Sequence, residues 1–189
     1  YTVINNGADV LSISQMSPLE DIKNEYDSFD NVWTCAASWH PFKRLKENIQ
    51  YFLNFGGDND CLVVCGSNPD FVIEHPRIFY VGNLSIDKLM SLYKISTYFI
   101  HLAYLDHCPN VVIDARACGC KIICSSAGGT REIAGLDAII VSEPTWDYSF
   151  LEDPNPPKLN FDNIEKNKFD SKISMASVAK KYFNFLKEN

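Results

Sequence analysis

Short apolar runs alternate along this chain with segments whose apolar residues recur at the spacing of a helix. Runs rich in β-branched and aromatic residues predict buried parallel strands at 32–37, 61–65, 78–81, 97–102, 121–125 and 138–141. Helical spacing predicts helices at 43–55, 86–94, 110–118, 130–134 and 174–187. Strands and helices that alternate in this way are typical of βαβ units, so the chain is predicted to be an α/β protein with a doubly wound parallel sheet.

Length and charge restrict the domain count and the class of partner. A chain of 189 residues with 46% hydrophobic and 22% charged residues suits one globular domain. The net charge of −7 argues against a nucleic-acid partner, because phosphate backbones are bound by clustered Lys and Arg. No apolar stretch reaches the roughly 20 residues of a transmembrane segment, and the N-terminus lacks a signal-peptide pattern. A cytoplasmic location is therefore expected, and a peripheral membrane contact stays open.

The domain outline follows from where the predicted elements lie. Residues 1–142 contain the whole predicted sheet, a polar stretch with several prolines at 143–170 predicts an irregular surface segment, and 171–189 predicts a C-terminal helix of the same domain. Because the first residue is Tyr1 and not Met, an upstream N-terminal part is expected to be missing. The seven cysteines are an odd number and lack the paired spacing of a zinc site. Reduced thiols and no metal are expected.

The segment from 103 to 133 carries the residues best suited to chemistry. Asp106 and Asp114 are separated by seven residues, and Pro109 between them favours a helix start because its fixed φ suits the first turn. Free N–H groups of that turn would point to the carboxyl ends of the strands, where doubly wound sheets bind ligands and helix dipoles favour anions. These groups belong to Asn110, Val111 and Val112. The pattern predicts a diphosphate between the two carboxylates.

Several motifs, in order along the chain, resemble one known family. The acidic pair and the Ala-x-Ala-x-Gly stretch at 115–119 are similar to the signature of retaining glycosyltransferase family 4, in which two glutamates are separated by seven residues. Four further segments agree in order: 3–9 with the start of the family's second domain, 62–66 and 79–83 with strand-then-glycine turns, and 128–133 with its GG-x-x-E-I element. The chain therefore resembles the C-terminal, donor-binding domain of this family, a Rossmann-like half of the two-domain GT-B fold.

The resemblance implies roles for individual positions. Asp114 would accept hydrogen bonds from the nucleotide ribose, and Asp106 would lie beside the transferred sugar. Backbone around Gly82 and Asn83 would contact the base. In the family, an Arg and a Lys five residues later neutralise the diphosphate and so stabilise the departing nucleotide. Lys43 fits the Lys.

This sequence departs from the family's pattern near the implied phosphate site. Ser38 stands where the Arg is expected, and the adjacent Arg44 could supply the lost charge, since a guanidinium suits phosphate oxygens. Both acidic positions are Asp instead of Glu, and Ala103 replaces a frequent Ser. His107, next to the first aspartate, is a further candidate for contact with the ligand.

Simpler interpretations of the same residues stay open. The two aspartates could be solvated charges or helix caps, and Lys43 and Arg44 could begin an exposed helix. Gly128 and Gly129 could only form a tight turn. Structural roles are the ordinary expectation for His40 and His101.

The resemblance implies a function in glycosyl transfer. A UDP- or GDP-sugar would be bound here, and its sugar would pass with retention to a carbohydrate or glycoconjugate acceptor on the missing N-terminal domain. The enzyme would be hexosyltransferase-like, would need neither metal nor another cofactor, and would be inactive as this isolated domain. Two alternatives remain: a non-catalytic nucleotide-sugar or carbohydrate-binding module, and another GT-B enzyme such as a sugar-nucleotide epimerase.

Overall fold

One sheet organises the protein, whose computed structural model describes residues 3–144 and 156–188. Its seven strands have the order β3-β2-β1-β4-β5-β6-β7. They are β1 (Val32–Ala36), β2 (Cys61–Cys65), β3 (Ile78–Gly82), β4 (Tyr98–His101), β5 (Lys121–Ser125), β6 (Ile139–Val141) and β7 (Ile164–Lys166). Every neighbouring pair is parallel except β6 and β7, which are antiparallel. The predicted doubly wound α/β fold is confirmed.

Helices cover both faces of this sheet. They are α1 (Val10–Gln15), α2 (Glu20–Tyr26), α3 (Leu45–Phe55), α4 (Ile86–Ile95), α5 (Asn110–Cys118), α6 (Thr130–Ile133) and α7 (Met175–Glu188). One core cluster contains Val63, Phe99 and residues of α1, α2, α4 and α5, whereas Leu62, Val64 and the apolar face of α3 belong to a second. Because successive side chains of a strand point to opposite faces, continuous apolar runs are what a sheet buried on both sides requires.

The structure differs from the predicted elements at three places. Helix α3 begins after Arg44, not at Lys43, because Arg44 has left-handed backbone angles (φ 53°, ψ 50°) that separate a short 3₁₀ turn, Pro41–Lys43, from the helix. Helices α1 and α2 were not predicted. Strand β7 lies inside the stretch predicted to be irregular, so that prediction missed it; residues 145–155 of the same stretch lie outside the described residues.

The strand order creates a natural ligand site. The chain runs from β1 outward to β2 and β3, then returns to form β4 on the other side of β1. In doubly wound sheets, ligands bind in the crevice outside the carboxyl ends of the strands at such a switch point. Loops that follow β1 and β4 are therefore the ones expected to carry the site.

The cysteines of this protein are unpaired and mostly buried. All seven cysteines are free thiols; Cys108 and Cys118 are partly exposed and the others are buried. Burial raises the pKa of the Cys61, Cys65 and Cys124 thiols to about 12.

Over residues 3–144 and 156–188, no helix is long and apolar enough to cross a membrane.

Candidate functional site

Lys43 and Asp106 meet at the switch point. Lys43 ends the 3₁₀ turn that follows β1, and Asp106 lies in the loop that follows β4. The Lys43 ammonium donates a hydrogen bond to Asp106 Oδ2 and forms an ion pair with it. Their side chains remain 24% and 15% exposed, so a ligand in the crevice can reach both charges.

His101, at the end of β4, contacts the same carboxylate. Its Nε2 lies 2.9 Å from Asp106 Oδ2, and its side chain is 4% exposed. Burial of the Asp106 carboxyl would raise its pKa, but the hydrogen bonds from His101 and Lys43 outweigh burial and hold the pKa well below its usual range. Burial lowers the pKa of His101 more than Asp106 raises it. A neutral imidazole therefore donates its Nε2 proton to a carboxylate that can only accept.

The lowered pKa of Asp106 predicts an acid-sensitive contribution to stability. The contribution is fully present above the unfolded-state pKa of about 3.9 and is lost as the pH falls toward the lower folded-state pKa, because protons then bind the unfolded chain preferentially. Between about pH 5 and about pH 3, we expect the Tm to fall more steeply for the wild type than for Asp106→Asn. Asp58→Asn, at an exposed turn, serves as the control. Parallel curves for wild type and Asp106→Asn would contradict the assignment.

Two glycines let the loop after β5 approach the Asp106 loop. The Gly129 N–H donates to the Asp106 carbonyl at 2.8 Å. A Cβ on Gly129 would lie 2.0 Å from the His107 carbonyl oxygen, and one on Gly128 would lie 2.4 Å from that of Asp106. Leu105 has a positive φ of 55°, which is unfavourable for a branched side chain. The glycine pair therefore gives the Asp106 loop its position through direct backbone contact.

The N-terminus of α5 lies just beyond this loop. Among residues 3–144 and 156–188, the backbone N–H groups of Asn110 and Val111 have no protein acceptor, whereas the Val112 N–H donates to the Pro109 carbonyl at 3.1 Å. Two of the three N–H groups predicted to face an anion are therefore free. The Asn110 side chain is held by Asn6, whose Nδ2 donates to Asn110 Oδ1 at 3.0 Å.

Asp114 lies one turn further along α5, in a groove. The groove has a volume of about 410 Å³. Its lining residues are Asn6, Gly7, Asn110, Asp114, Met175, Val178 and Tyr182. Burial raises the pKa of Asp114, and no residue of the described part of the chain donates a hydrogen bond to its carboxylate. This carboxylate is half-buried and has all its acceptor positions free for a ligand.

The remaining predicted site residues are further from the ion pair. Gly82 ends β3, two strands from β1, with a φ of 64° and nothing within 4 Å of where a Cβ would be. Asn83 follows it and is exposed. Both lie on the same edge of the sheet as the ion pair. The side chain of His107 is exposed, and it is its carbonyl that packs against the glycine loop.

Arg44 does not contribute to this site. Its side chain is 0% exposed and pairs with Glu143, just after β6, through Nη1–Oε1 and Nη2–Oε2 distances of 2.9 Å each. The guanidinium also donates to the Pro157 carbonyl at 2.6 Å. Because its N–H groups point into the protein, the prediction that Arg44 replaces the family's phosphate-binding Arg has to be corrected. Ser38, at that family position, is exposed.

A doubly wound sheet with a cation, a carboxylate and a helix N-terminus at its switch point is typical of Rossmann-like domains that bind anionic ligands. In the described residues, no group of three or more His, Cys, Asp or Glu is arranged to hold a metal ion. Residues 42–148 match the family model of glycosyl transferases group 1. Since the match spans more than half of the chain, the protein belongs to the group 1 glycosyltransferase family. No curated protein sequence matches the chain.

Solved structures, two of them named as glycosyltransferases, share the fold. AviGT4, involved in avilamycin A biosynthesis, aligns with a TM-score of 0.60 and 12% identity over 98% of this chain and 57% of its own. WaaG, involved in lipopolysaccharide biosynthesis, gives 0.58 and 14% over 75% and 42%. Anabaena HepE, solved in complex with UDP-glucose, gives 0.55 and 20% over 69% and 40%. The sheet thus matches a Rossmann-like domain of GT-B enzymes, and the chain spans about half the length of these proteins.

Proposed function

We propose that this chain is the donor-binding domain of a retaining glycosyltransferase of family 4. It binds a nucleoside diphosphate sugar, and the sugar passes to a carbohydrate or glycoconjugate acceptor on a second domain. The observation that carries the proposal is the Lys43–Asp106 pair at the switch point, next to the N-terminus of α5. Membership in the group 1 family supports it.

The diphosphate fits the positive side of this arrangement. An ammonium has three N–H donors, and Asp106 uses one of those of Lys43, so others can meet phosphate oxygens. The free N–H groups of Asn110 and Val111 add the positive end of a helix dipole. Together they would neutralise the leaving nucleotide as the glycosidic bond breaks, without a metal ion.

The acidic residues suit the neutral, hydroxyl-rich parts of the donor. Asp106 stays charged because of its low pKa and can accept hydrogen bonds from the sugar next to the diphosphate. Asp114, with its acceptor positions free, is the proposed ribose contact, and the open turn at Gly82 and Asn83 is the proposed base contact. A hexosyl donor and a cytoplasmic location belong to the same proposal; the seven free thiols suit a reducing compartment.

A thermal-shift series tests the proposal. The chain is heated with UDP, GDP, ADP, their sugars and the matching nucleosides, since a ligand at 100 times its Kd stabilises the fold by about 2.7 kcal/mol. We expect at least one diphosphate to raise the Tm more than its nucleoside does. If none of the nucleotides raises the Tm, the proposal is wrong. Sugar transfer by these 189 residues alone would show that the donor and acceptor halves are wrongly assigned.

A non-catalytic nucleotide-sugar-binding module is the second candidate. Two observations favour it: Ser38 is exposed at the family's Arg position, and Arg44 is turned inward. The two candidates share the binding prediction and differ in turnover. A protein that contains this domain and an acceptor domain, and that binds the donor but never transfers its sugar, would decide for the module.

Asp114→Asn should stabilise the fold and weaken binding at once. Burial raises the pKa of Asp114, so its charged form costs stability at neutral pH, and the neutral amide removes that cost. A neutral acceptor also binds ribose hydroxyls less strongly than a carboxylate, so we expect nucleotide affinity to fall about five- to tenfold. Melting curves at pH 7 and calorimetry with the best nucleotide measure the two effects. Unchanged affinity would remove Asp114 from the site.

A further inference from the structure

The ion pair of Arg44 and Glu143 is buried next to Lys43 in the chain. Both side chains are buried, at 0% and 3% exposure, and the two contacts of 2.9 Å form a parallel fork. Arg44 is the residue after Lys43, and its φ of 53° is one that a non-glycine residue adopts only when its surroundings compensate the strain. The pair therefore holds the backbone next to Lys43 in an otherwise unfavourable conformation.

This pair links the loop after β1 to the loop after β4. The Arg44 guanidinium donates to the Leu102 carbonyl at 3.3 Å. Asn48 strengthens the link: its Nδ2 donates to the Lys43 and Arg44 carbonyls at 3.0 and 2.8 Å, and its Oδ1 accepts from the Leu102 N–H at 3.1 Å. Leu102 begins the loop that carries Asp106. The two loops that bear the charges of the site are thus fixed to each other.

Glu143 also connects the pair to the loop after β5. The Ser125 hydroxyl donates to Glu143 Oε1 and accepts from the Ala127 N–H at 2.9 Å. The Glu143 N–H donates to Ser126 Oγ at 2.9 Å. This loop continues directly into Gly128, whose backbone contacts Asp106. The loop after β4 is therefore tied to Arg44 and the loop after β5 to Glu143, so the pair joins the three loops around the Lys43–Asp106 ion pair.

Net stability is a weak explanation for such a pair. The desolvation of two buried charges can exceed their attraction, and replacement of a buried pair by well-packed apolar residues is often neutral or stabilising. The geometry that the pair fixes is a stronger explanation for its presence. Its two parallel hydrogen bonds set the distance and the angle between loops that are not joined by strand pairing.

We propose that Arg44 and Glu143 are positioning residues for diphosphate binding. Their ion pair sets the place of the Lys43 ammonium relative to Asp106 and to the glycine loop, and neither residue touches the donor. The proposal rests on the proposed function above for its ligand. It explains why an arginine beside the phosphate site is turned away from it.

Three variants of the chain test the role. Glu143→Gln and Arg44→Lys each keep size but break the fork, and the double variant Arg44→Met with Glu143→Leu removes both charges together. Glu165→Gln is the control, since Glu165 pairs with Arg131 at 3.7 Å on the surface. The affinities for UDP and GDP, the affinities for uridine and guanosine, and the Tm are measured for each.

We expect the single variants to bind the diphosphates about tenfold more weakly, as for the loss of one charge-assisted hydrogen bond, with nucleoside affinity unchanged. The double variant should regain much of the Tm but not the diphosphate affinity. The control should match the wild type. A double variant with wild-type Tm and wild-type diphosphate affinity would overturn the proposal. The proposal would also be overturned if the single variants had a lower Tm but an unchanged ratio of diphosphate affinity to nucleoside affinity.

A readout without ligand separates this inference from the proposed function. The carboxyl carbon of Asp106 can be titrated by NMR in the wild type and in the double variant. If the pair positions Lys43, the Asp106 pKa moves up toward its ordinary value when the pair is removed. An unchanged titration would overturn the inference even if nucleotides bind. A shifted titration in a protein that binds no nucleotide would uphold the positioning of Lys43 and reject the proposed ligand.

Discussion

Lys43→Ala is expected to weaken the binding of a nucleoside diphosphate by about ten- to hundredfold and to leave the nucleoside alone almost unaffected. A charge-assisted hydrogen bond contributes roughly 1.5 to 3 kcal/mol, and Lys43 is the cation at the switch point. The substitution also leaves the Asp106 carboxylate without its ion-pair partner, so the pKa of Asp106 should rise. Its negative charge is then no longer screened by Lys43 and should repel the phosphates more strongly. Calorimetry with UDP, GDP and their nucleosides measures the difference.

Lys46→Ala is the matched control for this variant. Lys46 is exposed on α3, and its ammonium lies over the Phe71 ring at 5.7 Å, away from Asp106. Its loss should change diphosphate affinity little. If Lys43→Ala binds UDP and GDP as the wild type does, the phosphate site is not at Lys43. If Lys43→Ala and Lys46→Ala lose the same affinity, the cause is a general effect of net charge.

Gly129→Ala should destabilise the fold and damage the site together. Its Cβ would lie 2.0 Å from the His107 carbonyl oxygen, which is backbone and cannot rotate away. Over-packing of this kind costs about 1–3 kcal/mol, and the Asp106 loop would have to shift by about an ångström to relieve it. A shift of roughly 1 Å can misplace the groups of a site, so nucleotide affinity should fall more than the loss of stability explains.

Gly57→Ala provides the comparison for that substitution. A Cβ on Gly57 would meet its nearest neighbour, Asp60 Oδ1, at 3.3 Å, a much longer distance than the 2.0 Å at Gly129. Denaturant unfolding and nucleotide calorimetry on both variants separate the clash from the general effect of an added methyl group. If Gly129→Ala keeps wild-type stability and affinity, the loop after β5 can move to accommodate the added methyl group, and the prediction is wrong.

Most of the sheet could be predicted because its central strands, such as β1 and β2, are buried on both faces. A continuous apolar run such as 61–65 carries a strong signal, and Lys43 was expected at the carboxyl edge of the sheet because it follows a predicted strand. Its pairing with Asp106 depends on the strand order, which was not predicted. The α1 and α2 helices could not be predicted in the same way. They have six and seven residues, too few for a helical period to show.

The parts of the site that were missed depend on distant partners. Arg44 lies 99 positions from Glu143, and nothing in its local sequence indicates a left-handed backbone or an inward side chain. His101 ends an apolar strand, where a structural role is the ordinary expectation, and only the fold shows its contact with Asp106. Strand β7 has three residues and depends on pairing with β6. Tertiary contacts decide each of these cases.

The unequal burial of the thiols gives this protein a natural chemical reporter. Five cysteines are inaccessible, and burial raises the pKa of the partly exposed Cys118 to about 11, so little reactive thiolate forms there near neutral pH. Cys108 is the other partly exposed thiol, two residues from Asp106 and immediately before the Pro109 that precedes α5. An alkylating dye should therefore label Cys108 first. The rate of labelling would follow occupancy of the neighbouring crevice in the unaltered chain.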